Sequence, residues 1–217
     1  MLMFNNKKYM KNYHIGCGYT IGKSWLNYDS SPIAFVDQLP ILNQILRINK
    51  SKFPKGIIYG NIIKKKICDD GSADNIYCSH VLEHVSYLDA KKMLKNIYNM
   101  LKKDGVFRIV VPSLEARIEI YRENADANMF MESLGCVSKY ENSDLISKFR
   151  FLFGGSRHRW MYDKNSLFNE LKVAGFNDIR ECCYGDSGID IFSEVEDEDR
   201  FVSDNKKIKE IGFHCVK

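Results

Sequence analysis

Polar side chains follow four apolar runs in the first 80 residues, each where a run ends. The first run ends in Gly16-Cys17-Gly18, whose glycines would let a ligand approach the backbone because they carry no Cβ atom. Asp29 follows the second run, and a carboxylate there can accept two strong hydrogen bonds from a ribose diol. Asn61, placed to read an adenine edge, follows the third run, and Ser79 and His80 end the fourth. These groups predict a site for a ligand that contains a ribose.

A second pattern allows a metal ion at the same place. His80-Val81-Leu82-Glu83-His84 spells H-x-x-E-H, the motif of inverted zinc proteases. On a helix, His80 and His84 would share a face and could bind zinc. No distal third ligand stands out in the sequence, so we predict no metal site. His84 is then expected to be a packed or capping histidine.

Apolar runs and helical patterns alternate along the chain, an order typical of a mainly parallel sheet covered by helices. The predicted strands are 13–15, 25–28, 56–59, 75–78, 106–111, 176–184 and 211–216. Residues 106–111 are almost continuously apolar, as in a strand that is buried on both faces. We predict an α/β fold with a Rossmann-like sheet of seven strands, mostly parallel with a final antiparallel strand, and helices on both faces.

The clearest helix follows Ser86. This serine can cap it, with Asp89 three residues on in the style of a capping box. Apolar residues then recur at helical spacing, and we predict that Asp104-Gly105 ends the helix. Two further helices are predicted over residues 114–124 and 165–174.

Residues 113–163 are the least regular part of the chain. They include an aromatic run that ends in Gly154-Gly155, which could act as a hinge. The length of 217 residues suits one α/β domain. We therefore predict a single domain over residues 1–217, in which residues 113–163 form a lid and substrate segment.

The composition is that of an ordinary soluble domain, with 45% hydrophobic and 28% charged residues. The net charge of +4 is dispersed rather than clustered on a basic face, so we expect no nucleic-acid partner. No stretch approaches the roughly 18 apolar residues of a membrane span, and the N-terminus lacks the apolar core of a signal peptide. Seven cysteines without a spaced framework fit a reducing compartment, so we expect a cytoplasmic protein. The oligomeric state is left open.

Six stretches resemble the class I S-adenosylmethionine (SAM) methyltransferases: YHIGCG (13–18), WLNYDSSP (25–32), YGNI (59–62), DDGSADNIYCSHVLEHV (69–85), NMLKKDGVFRIVVPSLE (99–115) and HRWMYDKNSLFNELKVAGF (158–176). The chain is most similar to the methyltransferase type 11-like group, especially bacterial members linked to cell-surface polysaccharide and glycolipid synthesis. The resemblance implies an enzyme that moves a methyl group from SAM to a small-molecule or glycan- or lipid-linked acceptor. Its product from the cofactor would be S-adenosylhomocysteine.

The resemblance also implies which residues hold the cofactor. They are His14, Gly16, Cys17 and Gly18 at the methionine part, Asp29 and Ser30 at the ribose, Asn61 and Ile62 at the adenine, and Ser79 and His80 near the sulfonium. Two positions depart from the family pattern, because members often have an acid where this chain has His14 or Tyr13, and many have Asp where it has Asn61. Only ten residues separate Gly18 from Asp29, so we predict that the usual first helix is short or absent.

The methyl group of SAM is already activated, so the protein mainly has to bind and align the reactants. A base is needed only where the acceptor must lose a proton. We predict His158 as that base, because it follows the glycine pair of the lid segment.

Two other functions fit part of the pattern. An NAD-dependent oxidoreductase would need a third glycine and an acid about 20 residues after the turn. Here the third glycine is missing and Asp29 comes sooner. A non-catalytic binding domain would keep the fold and lose the SAM site, and tight binding of SAM would argue against it.

Overall fold

The computed structural model describes residues 10–31, 34, 54–136, 157–203 and 208–217. Seven strands form one sheet in the order β3-β2-β1-β4-β5-β9-β6. They are β1 (Asn12–Ile15), β2 (Leu26–Asp29), β3 (Ile57–Tyr59), β4 (Ala73–Ser79), β5 (Leu101–Val111), β6 (Asp178–Glu181) and β9 (Ile211–Val216), and a separate pair is formed by β7 (Val202–Ser203) and β8 (Ile208–Lys209).

Strand β9 lies antiparallel between β5 and β6, whereas the other neighbouring strands of the sheet pair in parallel. The predicted sheet of seven mostly parallel strands with a final antiparallel strand is confirmed. The strand order reverses between β1 and β4, because the chain builds outward from β1 in both directions. Ligands of open α/β sheets bind at such a point, outside the carboxyl ends of the strands.

The described helices are α1 (Tyr87–Met100), α2 (Leu114–Asn124), α3 (Ala127–Ser133), α4 (Lys164–Ala174) and α5 (Glu198–Phe201), with 3₁₀ turns at Leu82–His84 and Asp190–Glu194. Helix α1 begins as predicted, since the Ser86 hydroxyl accepts a hydrogen bond from the Asp89 amide at 3.2 Å. Its predicted end was wrong. The helix stops at Met100 because Leu101 already has extended backbone and begins β5.

Strand β6 is also shorter than the predicted range 176–184. Phe176 precedes the strand and packs its ring against Tyr98 and Phe107, with centroids 5.2 and 5.7 Å away. The chain turns away after the strand, at Tyr184 and Gly185. Residues 176–184 are therefore apolar at their start because Phe176 packs in the core, and only Asp178–Glu181 pair as a strand.

The side chains of β4 and β5 alternate between two faces of the sheet. On one face, Ile76, Phe107 and Ile109 belong to a core that includes residues of α1 and α4. On the other face, Tyr77, Val106 and Val110 form a second core with Trp25, Cys182, Phe192, Val195 and Phe201. Both faces of the central strands are thus covered.

The second face is covered by residues 182–201, here called the tail segment, where a first helix would otherwise pack. Residues 16–25 contain turns and no helix, which confirms the prediction from the short spacing before Asp29. Trp25 Nε1 donates to the Ile191 carbonyl at 3.0 Å, and the Ser24 amide and hydroxyl each donate to the Glu194 carboxylate at 2.8 Å. The tail segment is therefore fastened to the loop that follows the glycine turn.

Within the described ranges, no helix combines the length and apolar character needed to cross a lipid bilayer. The glycine pair of the predicted lid, Gly154-Gly155, lies outside the described residues.

Candidate active site

The glycine turn lies at the carboxyl end of β1 and is held by the neighbouring strand. The amides of Gly16 and Cys17 both donate to the Tyr28 carbonyl, at 2.8 and 3.1 Å. Gly16 has a φ of 67°, and a Cβ atom there would lie 2.1 Å from Val81 Cγ2. Gly18 also has a positive φ, of 53°, but a Cβ there would meet no atom within 4 Å. Gly16 is therefore required by packing, whereas Gly18 leaves an open side for a ligand.

Asp29 ends β2 and contacts the glycine turn directly. One carboxylate oxygen accepts from the Gly18 amide at 2.9 Å, and the other accepts from the Ser31 amide at 2.7 Å. Each oxygen keeps a lone pair for a further donor. The carboxylate thus shapes the turn and can still accept hydrogen bonds from a diol. Ser30, predicted beside the ribose, is exposed next to it.

Asn61 follows β3 and closes a turn. Its side-chain oxygen accepts from the amides of Ile63 at 3.0 Å and Lys64 at 3.2 Å. The side-chain NH₂ group is the part that a ligand could use. Ile62, predicted beside the adenine, is buried in the apolar core.

A small cavity beside the glycine turn brings several of the predicted residues together. It is lined by His14, Gly16, Cys17, Thr20, Tyr77 and Ser79, and by Val195, Asp197 and Arg200 of the tail segment. Three buried polar atoms at this cavity have no hydrogen-bond partner among the described residues: His14 Nδ1, the Tyr77 hydroxyl and the Ser79 hydroxyl. Buried polar atoms are normally paired, so these three suit a polar ligand.

Two of the titratable groups that line the cavity, the His14 imidazole and the Cys17 thiol, are uncharged near neutral pH. Burial lowers the pKa of His14 to about 4, which keeps the imidazole neutral at physiological pH. Burial, with a contribution from the Asp29 carboxylate, raises the pKa of the Cys17 thiol to about 12. Neither group is therefore an ionised nucleophile or base at neutral pH. They provide a neutral wall beside the Asp29 carboxylate.

We predict that the protein loses stability as the pH falls from 6.5 towards 4. Burial lowers the pKa of both His14 and His214 to about 4, whereas unfolded histidines take up a proton near 6.5. The unfolded chain then binds more protons, and each histidine costs up to about 1.4 kcal/mol per pH unit. Urea unfolding at pH 7.5, 6 and 5 measures the slope, and His14→Asn should reduce it. A folded-state titration of His14 near pH 6.5 by NMR would contradict this account.

His80 directly follows β4 in a left-handed conformation, with a φ of 54°. Its Nε2 donates to the Arg200 carbonyl at 2.9 Å, and its Nδ1 lies 3.5 Å from Glu83 Oε1. His80 therefore borders the site but turns its ring towards Glu83 and the tail segment. The residues that follow His80 form only the 3₁₀ turn Leu82–His84 and not the helix on which His80 and His84 would share a face.

His158, the predicted base, is held above the same glutamate. The backbone amides of Arg159 and Trp160 donate to the Glu83 carbonyl at 2.6 and 3.2 Å. His158 Nδ1 donates to the Leu134 carbonyl at 2.7 Å, and its Nε2 lies 4.0 Å from Glu83 Oε1. Burial lowers the pKa of His158, and the negative charge of Glu83 offsets part of this decrease. His158 does not line the cavity beside the glycine turn.

Sequence reasoning missed Tyr77 and the tail residues of the cavity. Tyr77 could have been found, because the alternation of β4 places it on the same face as Ser79. Val195, Asp197 and Arg200 carry no comparable signal, since they lie in a segment without a helical or strand period.

Comparison with known proteins agrees with the fold. The chain is similar to a SAM-dependent methyltransferase from Archaeoglobus fulgidus, with 14% identity, coverage of 97% of this chain and 87% of that one, and a TM-score of 0.50. It is also similar to a putative methyltransferase in complex with the Trm112 methyltransferase activator from Haloferax volcanii, with 13% identity, 96% and 82% coverage and a TM-score of 0.50. At these identities the likeness shows the fold alone. No curated protein sequence matches the chain.

The sheet order and the strand-end residues define a SAM-dependent methyltransferase of class I. Residues 14–181, more than half of the chain, match the family model described as a methyltransferase domain, and the chain belongs to that family. The match begins at His14, just before the glycine turn, and ends with β6.

Proposed function

We propose that this methyltransferase binds SAM along the carboxyl ends of β1, β2 and β4 and transfers its methyl group to a small-molecule or glycan- or lipid-linked acceptor. The observation that carries the cofactor site is the set of three unpartnered polar atoms, on His14, Tyr77 and Ser79, beside the glycine turn. The acceptor class is supported by the sequence resemblance to methyltransferases of polysaccharide and glycolipid synthesis.

The residues at this edge fit the chemical parts of SAM. The Asp29 carboxylate suits the ribose diol, and the open side of Gly18 leaves room for the methionine part. His14, Tyr77 and Ser79 offer hydrogen bonds to the polar groups of the methionine end. SAM supplies an activated methyl group when bound, and the residues of this chain bind, align and exclude water.

The state of the cysteines supports a proposal for the cellular compartment in which the protein works. All seven are free thiols. Disulfides persist in oxidising compartments and are rare in the cytosol. We therefore propose the cytoplasm as the compartment.

Calorimetry with SAM and S-adenosylhomocysteine tests the cofactor site. We expect one binding event per chain, with a Kd below about 100 µM, within the usual range of enzyme substrates. Release of S-adenosylhomocysteine in the presence of hydroxylated glycans and glycolipids then tests the acceptor class. Absence of SAM binding by the folded protein would contradict the proposed function, and methylation of nucleic acid instead of these acceptors would contradict the acceptor class.

We propose that His158 takes part in removing the proton of an acceptor hydroxyl. Its Nδ1–H is committed to the Leu134 carbonyl, so its Nε2 carries the bare lone pair that proton removal requires. His158→Ala should lower kcat for a hydroxyl acceptor by about 100-fold and leave the Kd of SAM unchanged. Trp160→Phe, which alters the neighbouring exposed ring, is the control. Unchanged kcat in His158→Ala would remove this role.

A further inference from the structure

The Glu83 carboxylate is buried next to the strand edge. Its side chain is 1% exposed, and neither carboxylate oxygen has a hydrogen-bond partner among the described residues. A buried charge of this kind is costly unless it is paired or bound to a metal. Arg117, whose charge acts on the neighbouring His158, is already bound by both oxygens of Glu210. Its charge is thus balanced elsewhere.

Three histidine nitrogens approach one oxygen of this carboxylate. His80 Nδ1, His84 Nε2 and His158 Nε2 lie 3.5, 3.7 and 4.0 Å from Glu83 Oε1. The other nitrogen of each ring contacts a backbone carbonyl: His80 that of Arg200, His84 that of Arg157 and His158 that of Leu134. A carbonyl oxygen can only accept, so each of those nitrogens carries the ring proton.

With the three rings neutral, their inner nitrogens are bare lone pairs. They face a carboxylate oxygen, which also carries only lone pairs. Four acceptors without a donor between them repel one another, and a cation removes the conflict. Histidines that bind metals almost always donate their other N–H to a carbonyl, carboxylate or water, which is the arrangement at all three rings.

We propose that Glu83, His84 and His158 bind a divalent transition-metal cation such as Zn²⁺. Their ligand atoms all lie within 4.8 Å of one another. Zinc bonds of about 2.0–2.2 Å in a tetrahedral site place ligand atoms about 3.3 Å apart, so these ligand atoms would have to move together by up to about 1.5 Å to complete the site. Two imidazoles and one carboxylate are also the protein ligands of many catalytic zinc sites, which keep a fourth position open.

The cation explains how the lid segment and the strand edge could act together, a step that rests on the proposed methyl transfer. An acceptor hydroxyl bound at the open position would have its pKa lowered by the cation. With the ion bound, His158 Nε2 would be a ligand, so His158 would serve the proton removal proposed above through the ion, whereas in the metal-free protein the same nitrogen would be the base. The sequence prediction of no metal site rested on the lack of a distal third ligand, and His158 is the distal ligand that we propose.

Titration of chelator-treated protein with Co²⁺, followed by its visible spectrum, and with Zn²⁺ by calorimetry tests the site. We expect one ion per chain, with binding weakened by about 100-fold or more in Glu83→Gln and in His158→Ala. Cys183→Ser, which removes an exposed thiol, is the matched control and should bind as the wild type does. SAM calorimetry in the presence of chelator shows whether each variant is folded.

The two titrations separate the two proposals. Loss of metal binding with SAM binding intact in Glu83→Gln supports the metal site. Failure of the wild-type protein to bind one ion, or equal binding by Glu83→Gln, overturns the metal site without touching the cofactor site. Failure to bind SAM with metal binding intact overturns the proposed function alone.

Discussion

Asp29→Ala is expected to weaken SAM binding by close to 1000-fold. Two hydrogen bonds from a ribose diol to a carboxylate contribute about 4 kcal/mol together, which corresponds to that factor in Kd. The same substitution also removes the acceptor of the Gly18 and Ser31 amides, so the glycine turn loses its support. Calorimetry with SAM measures the loss.

Two further variants separate recognition from folding. Asp29→Asn keeps one acceptor oxygen and should lose less affinity than the alanine variant. Asp178→Asn changes an exposed aspartate at the start of β6, away from the carboxyl ends of the parallel strands, and should bind SAM as the wild type does. If Asp29→Ala remained folded and bound SAM with an unchanged Kd, Asp29 would not be the ribose ligand.

The residues at the carboxyl ends of the strands could be predicted from the sequence, because each of them directly follows an apolar run. Gly16, Asp29 and Ser79 each end an apolar run, and the carboxyl ends of parallel strands meet at one edge of a sheet. The number of residues between Gly18 and Asp29 was enough to predict that no full helix intervenes. What local pattern could not give was that Asp29 supports the glycine turn by accepting a hydrogen bond from the Gly18 amide.

The tail segment could not be predicted because its contacts are with distant residues. Phe192 packs its ring 5.3 Å from that of Trp25, and Val195 belongs to the same core. Its 3₁₀ turn and short helix have no period that a sequence pattern would reveal. The segment covers one face of the central strands, and only the three-dimensional structure shows which residues do so.

The histidines around Glu83 could be predicted in part from the sequence. The spacing of His80, Glu83 and His84 suggested a metal, and the sequence offered no reason to join His158 to them. That reason is backbone pairing: the amides after His158 donate to the Glu83 carbonyl. A hydrogen bond between backbone atoms leaves no trace in side-chain types, so the sequence alone does not predict that His158 lies beside Glu83.

Arg108→Leu is expected to destabilise the protein by about 3–5 kcal/mol, a large part of the stability of an ordinary domain. Arg108 lies on β5 and has a fully buried side chain that pairs with Glu196 and Asp186. The remaining guanidinium nitrogen, Nη2, donates to the Cys183 carbonyl at 2.9 Å. Removing the guanidinium leaves the buried Glu196 carboxylate without its cation. Urea unfolding measures the change in the free energy of unfolding.

Arg180→Leu is the matched control for Arg108→Leu, because Arg180 also pairs with Asp186 but is 44% exposed. An exposed pair contributes about 0–1 kcal/mol, so Arg180→Leu should be nearly neutral. The double variant Arg108→Leu, Glu196→Leu should recover much of the loss, since it leaves no unpaired charge. Equal stabilities of the two single arginine variants would contradict the buried network. Glu196 lies between Val195 and Asp197, which line the cavity beside the glycine turn. If SAM binds there as proposed, Arg108→Leu should also weaken SAM binding, whereas Arg180→Leu should not.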